Sequence, residues 1–382
     1  MKLGADFDAL VARFSQHDDQ ALALAVSGGS DSTALLYLSH EWARRSGRRL
    51  HVFTVDHRLR PSAAAESARV ARVCAELGHP HATLTWTAPK PTQAAARQAR
   101  YQLMCAAMRE IGASILLVAH TFDDVVETAI MRRQRGIRGA STAGPVLAAP
   151  APVWPDGRGV TLVRPLLHAS RSCLRDLLTR QDWAWVEDPS NTHTEFERVR
   201  VRQFLARHPR LAATVRDQVQ RLRVERMAAD RTIGAALSRV VVDPDALITL
   251  DESDISPRLI TLLARCASGG DRDPRAGAAA DMLAGLKIAG ARQTLGGAWF
   301  QKTDRGLKIG RDPGEARAAC CSGLFDGRFE VSQDACLPPQ SAQAFLVRSS
   351  SPRGTRWRET ISDRLAHLSQ CLQTPDLSPL AP

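Results

Sequence analysis

Three groups of polar residues in this 382-residue chain have types and spacings suited to chemistry. The first is Ser27-Gly-Gly-Ser-Asp-Ser32, which joins the apolar run Ala21–Val26 to a helical pattern beginning at Thr33. Gly28 and Gly29 let backbone approach a ligand closely, helix N-terminal N–H groups would face an anion, and Ser27, Ser30 and Ser32 add hydroxyl donors. Asp31 is the odd member, because a carboxylate beside phosphates is repulsive unless a metal ion or a reacting group compensates it. The loop has neither the Gly-Lys-Ser/Thr of a Walker loop nor the Gly-x-Gly-x-x-Gly of dinucleotide folds. A Gly/Ser turn that binds nothing is the plain alternative.

The second group is His120, Asp123, Asp124 and Glu127. Acids in the first turn of a helix are common dipole partners, so capping alone would account for some of them. A His with two or three carboxylates at the end of an apolar run fits Mg²⁺ binding or proton abstraction better. The third group is Glu187-Asp188-Pro-Ser-Asn191 followed by Arg198, Arg200 and Arg202. In isolation Glu187–Asn191 reads as a turn closed by its own side chains. His57, at the end of another apolar run, and Arg97 and Arg100 beside Tyr101 are weaker candidates.

The elements that must position these residues alternate. Apolar runs at 21–26, 51–56, 82–86 and 115–119 are separated by helical patterns near 32–46, 61–78 and 93–112. Repeated βα units of this length predict an α/β fold, a doubly wound parallel sheet with helices on both faces. Ligands of such sheets sit beyond the carboxyl ends of the strands, and all the candidate groups up to Glu127 follow strands. Beyond residue 205 the pattern turns helical and Arg-rich over 209–238, with further helices predicted at 255–267 and 275–288. Ala291–Phe300 and Leu307–Ile309 read as short strands, and 359–372 as a helical patch.

A net charge of +11 predicts a polyanionic partner. Lys supplies only five of the 51 basic residues, so a GC-rich genome could also explain an excess of Arg. Position favours a phosphate-facing surface, since Arg198–Arg231 holds ten Arg against Asp217, Glu225 and Asp230. The eight scattered cysteines form no Cys-x-x-Cys pair, which argues against a disulfide framework or zinc site and for a reducing cytoplasm. No stretch approaches the ~20 apolar residues of a membrane span, so no membrane partner is expected.

Ser27–Ser32 matches the pyrophosphate loop of the N-type ATP pyrophosphatases, the PP-loop superfamily with its adenine nucleotide alpha hydrolase-like fold. A narrower resemblance is carried by collinear segments. These are Val55-Asp-His-Arg-Leu-Arg-Pro61, Gln93–Tyr101, Ala119–Thr128 running on to Arg135-Gly136, and Val163–Arg171. Trp185-Val-Glu-Asp-Pro-Ser-Asn-Thr192 and Phe196-Glu-Arg-Val-Arg-Val-Arg202 complete the set. Over residues 20–205 the chain resembles the tRNA(Ile)-lysidine synthetase family.

That resemblance implies a PP-loop catalytic domain over 1–208, a mostly helical tRNA- or substrate-binding domain over 209–312 and a short divergent region over 313–382. It implies ATP bound by Ser27, Gly28, Gly29, Ser30, Asp31 and Ser32, with Mg²⁺ on Asp31 and Asp124. ATP would adenylate the wobble cytidine of the CAU anticodon of tRNA(Ile), and the ε-amine of L-lysine would displace AMP. Asp31, His120 and Asp124 are the expected catalytic residues, His120 and Asp124 taking the amine proton. His57, Arg97, Arg100, Asp123, Glu127, Glu187, Asp188, Asn191, Arg198, Arg200 and Arg202 are expected at the tRNA or lysine. A homodimer and a cytoplasmic location complete the expectation.

The sequence departs from the family pattern at Thr121, where a second His is usual, and at His193. The Arg135–Gly144 loop also keeps glycines but loses a Ser of the usual pattern. Two other readings compete. A PP-loop tRNA thiolase would need cysteines beside the motifs, and none lies there. A catalytically inactive RNA-binding relative would have lost some of Asp31, His120, Asp123, Asp124 and Glu127, and all are present.

Overall fold

The structure is a computed structural model that describes residues 2–15, 21–58, 63–89, 92–187, 195, 197–243, 246–270, 273–275, 277–312, 320–321, 324–326, 328–331 and 357–374. The chain divides into two compact units, one built on Met1–Ala151 and Val160–Ala229, the other on Pro152–Gly159 and Asp230–Gln373.

The first unit opens with helix α1 (Lys2–Ala12) and then alternates β1 (Leu22–Ala25), α2 (Ser30–Ser46), β2 (Leu50–Asp56), α3 (Ala63–Glu76), β3 (His81–Thr85), α4 (Gln93–Glu110), β4 (Ile115–Val118) and α5 (Phe122–Gln134). It continues through β5 (Ala148–Pro150), β6 (Thr161–Val163), α6 (Arg171–Arg180), α7 (Glu197–Arg207) and the first 21 residues, up to Ala229, of α8 (Pro209–Leu237). The strands form one sheet in the order β3-β2-β1-β4-β6-β5. All neighbours pair parallel except β5 with β6, so this is a doubly wound sheet with one antiparallel edge.

The register explains why β1 is so apolar. Leu22 sits opposite Leu50 and Leu24 opposite both Val52 and Leu117, and both leucines are buried under helices. Leu35, Leu38 and Trp42 of α2, Phe7 and Leu10 of α1, and Leu174 and Leu178 of α6 close the same core. Strand order reverses between β1 and β4, since β1 leads outward to β2 and β3 while β4 leads to β6 and β5. Such a switch point leaves a crevice at the carboxyl ends of its two strands, and Ser27–Ser32 and His120 lie there.

The four strands and three intervening helices predicted up to residue 119 are all present, with ends within about two residues. The sequence reading did not include β5 and β6, which are three residues each.

In the second unit a five-stranded sheet is ordered β7 (Val241–Val242), β8 (Ile248–Asp251), β11 (Gly306–Arg311), β10 (Ala298–Thr303) and β9 (Arg292–Leu295). Helices α9 (Pro257–Ser268) and α10 (Ala278–Gly285) are those predicted at 255–267 and 275–288. A four-stranded sheet follows, β12 (Cys320–Cys321) to β15 (Trp357–Glu359) through β13 (Leu324–Phe325) and β14 (Phe329–Val331), and α11 (Ile361–Gln373) ends the described chain.

Ala291–Phe300, expected as one strand, is instead the β9–β10 hairpin. Gly296 and Gly297 at its tip have φ of 57° and 81°, the two successive left-handed residues that a tight hairpin turn requires. The other turn, between β10 and β11, depends on Gly306, where an added Cβ would lie 2.0 Å from the Leu250 carbonyl oxygen.

Candidate active site

At the switch point the chain encloses a cavity of about 590 Å³. Its floor is the Ser27–Ser32 loop. Gly28 has φ +87°, and a Cβ there would touch Val70 and Val186 at 3.4 and 3.7 Å. The Gly28 carbonyl accepts from Val186 N at 2.8 Å and from the Thr33 hydroxyl at 3.2 Å. Ser32 Oγ accepts from Ser27 N at 3.2 Å and donates to the Gly29 carbonyl at 3.0 Å, closing the loop on itself. Gly29 stands at the N-cap of α2 without a side-chain cap, so no protein carboxylate or hydroxyl of that residue claims the first-turn N–H groups. A cap-free helix start at a cavity floor is an anion site by its backbone alone.

Across the cavity Asp124 is held at the third position of α5, accepting from the Thr121 backbone N–H at 2.8 Å and from its hydroxyl at 3.1 Å. The position where the family usually carries a second His thus serves here as the anchor of Asp124.

Arg171, the first residue of α6, joins both sides. Its Nε donates to Asp31 at 3.1 Å, Nη2 to Asp124 at 2.6 Å and Nη1 to Glu127 at 2.6 Å. Its backbone N–H donates to Asp123 at 2.8 Å. Glu127, with its side chain 2% exposed, also accepts from Arg202 Nε at 3.0 Å and faces Arg198 at 3.5 Å. Asp123 is further paired with Arg216 of α8.

These charges fix the protonation states. Burial opposes the Arg171 charge, but Asp124, Glu127 and Asp31 outweigh it and raise its pKa. Burial pushes Asp124 up as well, yet Arg171 and the Thr121 N–H hold it below the ordinary carboxylate value. Asp31 goes the other way: burial raises it, Arg171 opposes, and the Asp124 charge adds to the rise. His120 is pushed down to about 3, chiefly by burial and then by the cation of Arg164. Its ring is therefore neutral at neutral pH, with Nδ1 buried and without a hydrogen-bond partner.

The structure brings most of the predicted residues to this cavity. Ser27, Gly29, Ser30, Asp31, Ser32, His57, Arg100, His120, Asp124, Arg198 and Arg202 line it. Gly28 supports the loop from beneath, while Asp123 and Glu127 stand behind the lining as partners of arginines. Three predicted residues are not brought in. Arg97 lies over the Tyr101 ring at 5.0 Å on the exposed side of α4. Glu187 is exposed, held by Arg175 at 3.1 Å and Trp185 Nε1 at 2.8 Å. Arg200 points away because residues two apart on a helix face different sides, so Arg198 and Arg202 share the cavity face without it. Asp188, Asn191 and His193 lie outside the described residues.

Residue type alone does not single out Arg171 or Arg175. Both sit in a chain with so many arginines that residue type carries no signal. The usable cue was position, since Arg171 ends the Val163–Arg171 segment after a buried strand.

Among the described residues no group of three or more His, Cys, Asp or Glu is arranged to hold a metal ion. Asp31 and Asp124 nevertheless offer two hard oxygen donors to one point, where Arg171 now binds both. Mg²⁺ commonly takes one or two carboxylates and completes its shell with phosphate and water, so this donor pair fits it.

A family model described as a PP-loop domain matches residues 4–209. The tRNA(Ile)-lysidine synthase of Caulobacter vibrioides is 36% identical over 345 residues, spanning 87% of this chain and 78% of that relative. That of Hyphomonas neptunium is 37% identical over 262 residues, 67% of this chain and 71% of the relative. Mesorhizobium japonicum has one 36% identical over 346 residues, 85% of this chain and 75% of the relative. Sheet, loop and matched residues make the first unit a PP-loop, ATP-utilising domain. The chain as a whole belongs to the tRNA(Ile)-lysidine synthase family.

Proposed function

We propose that this chain uses ATP to attach L-lysine to the wobble cytidine of tRNA(Ile) with a CAU anticodon, through an adenylated cytidine, with release of pyrophosphate and AMP. The observation that carries the reading is the cavity at the switch point. It sets an uncapped helix start and glycine loop against a carboxylate pair clasped by Arg171.

The Ser27–Ser32 backbone and hydroxyls would hold the phosphates. Bound Mg²⁺, on Asp31 and Asp124, would neutralise phosphate charge and polarise the α-phosphorus for attack. Arg171 already occupies the point between these two carboxylates, so its charge opposes their protonation and its fork orients them before nucleotide arrives. Arg198 and Arg202 present positive charge at the cavity wall, where an RNA backbone bringing its cytidine to the phosphates would need it.

The second step needs a neutral amine. With its pKa near 3, His120 in the ATP-free pocket is too weak a base to take a proton from an ammonium group. Negative charge from bound phosphate favours the protonated imidazole and moves His120 toward its ordinary range. His120, beside Asp124, therefore acts as a proton acceptor only in the nucleotide-loaded site, which orders activation before lysine attack. Asp31, with its raised carboxyl, is the more basic of the two cavity acids and shares the reaction centre.

The test is the fate of α-labelled ATP. AMP formed only when the cognate tRNA is present supports the reading; ADP as product, or ATP turnover indifferent to tRNA, would refute it.

A further inference from the structure

Helix α7 has two polar faces, and the cavity uses one of them. Arg198 and Arg202 turn inward to Asp124 and Glu127, while Val199 and Val201 are buried on its flanks. The remaining face runs Arg200, Gln203, Phe204 and Arg207, the i, i+3, i+4, i+7 spacing of a single helical stripe. Arg200, Phe204 and Arg207 are exposed.

Phe204 is the unusual member. At 45% exposure it is the one aromatic among the large apolar side chains left exposed by the described residues; Leu211, Val224, Val241 and Ile288 are aliphatic. Its ring is not loose. His208, one turn on, stacks against it at 4.5 Å between centroids and 34° between planes, and the His208 ring is fixed by a hydrogen bond from Nδ1 to the Phe204 carbonyl at 2.8 Å. A packed core explains neither residue, since both lie on the exposed face. The segment Glu197–Arg216 carries six Arg and only one acid, Glu197. A pre-oriented aromatic pair flanked by cations is what single-stranded nucleic acid requires. The rings stack an unpaired base and the guanidinium groups neutralise the phosphates on either side.

We propose that the outer face of α7 is an RNA-stacking ridge on which Phe204, braced by His208, receives an unpaired base of the tRNA loop, with Arg200 and Arg207 on its phosphates. The ridge rests on the reading of this chain as a tRNA-modifying enzyme, and it assigns Arg200, which the cavity does not use, to the same substrate. Stacking is sequence-tolerant, so Phe204 positions the loop and does not read it.

The experiment is titration of the full-length protein with a labelled anticodon stem-loop of tRNA(Ile) at several salt concentrations. Phe204→Ala weakens binding roughly 5- to 140-fold, the range for loss of one base–aromatic stack. Phe204→Trp restores it, and Phe204→Leu, apolar but without a ring, does not. Arg200→Gln and Arg207→Gln each lower the salt slope by about one, whereas Phe204→Ala leaves the slope unchanged. Equal affinity of Phe204→Leu and wild type, or no loss in Phe204→Ala, overturns the ridge. Lysine incorporation by the wild type is read in parallel. Phe204-dependent binding without any modification would leave the ridge standing and refute the proposed function.

Discussion

Four carboxylates, Asp31, Asp123, Asp124 and Glu127, gather at and behind the cavity wall, and Arg171 contacts every one of them. Removing one partner of a buried ion pair leaves the other uncompensated, which typically costs about 3–5 kcal/mol. Arg171→Met should therefore lower stability by about that much, and it should reverse a pH trend. Without the guanidinium, burial raises the folded-state pKa of Asp124 as it already raises that of Asp31. The variant then loses stability as pH rises above the ordinary Asp value of about 3.9, which thermal melts across a pH series would detect. Arg171→Lys keeps the charge but cannot reach three carboxylates, so it should fall between. His120 predicts the opposite slope from the opposite cause. Its folded pKa is depressed to about 3, so the unfolded state binds the extra proton. Stability is then lost as pH falls below about 6.5, by at most about 1.4 kcal/mol per pH unit. His51, His57, His79, His81 and His367 are shifted the same way, so the measurement is the difference between wild type and His120→Gln between pH 6.5 and 5. A shallower slope in the variant is expected. Adding a non-hydrolysable ATP analogue should also bring the His120 ring into a measurable NMR titration, because phosphate charge raises its pKa.

At the scale of elements, the strand–loop–helix of β1 and α2 was legible because two independent patterns meet at two glycines. Leu22–Leu24 are buried without a break, and Gly28 takes a left-handed φ that a side chain would strain. Gly28→Ala should cost about 1–2 kcal/mol for that conformation and should also weaken ATP binding by pressing the loop against Val70 and Val186. An unchanged nucleotide affinity would show that the loop does not hold the phosphates. The strands β5 and β6 were not legible, because three residues give no periodicity to read. Helix α7 was legible as Arg-x-Arg-x-Arg but not as a helix with two destinations. Only the observed backbone shows that Arg198 and Arg202 go one way and Arg200 another. The β9–β10 hairpin was missed for a related reason: Ala291–Phe300 is short enough to read as one strand, although Gly296-Gly297 turns the chain within it.

For the whole molecule, topology did what composition could not. A net charge of +11 is compatible with any polyanion and with a codon bias towards Arg. The strand order puts the Ser27–Ser32 loop and the pair His120 and Asp124 on either side of one cavity, and family membership then narrows the polyanion to tRNA. No helix among the described residues is long and apolar enough to cross a membrane. If the cavity is where lysine joins RNA, its carboxylates are indispensable to the transfer. The most direct measurement is transfer of radiolabelled lysine to tRNA(Ile) bearing a CAU anticodon, in the presence of ATP, by the wild type and by Asp124→Ala. Label should enter the tRNA with the wild type and fall to background with the folded variant. Full labelling by Asp124→Ala, or none by the wild type with active tRNA and ATP, would contradict the account.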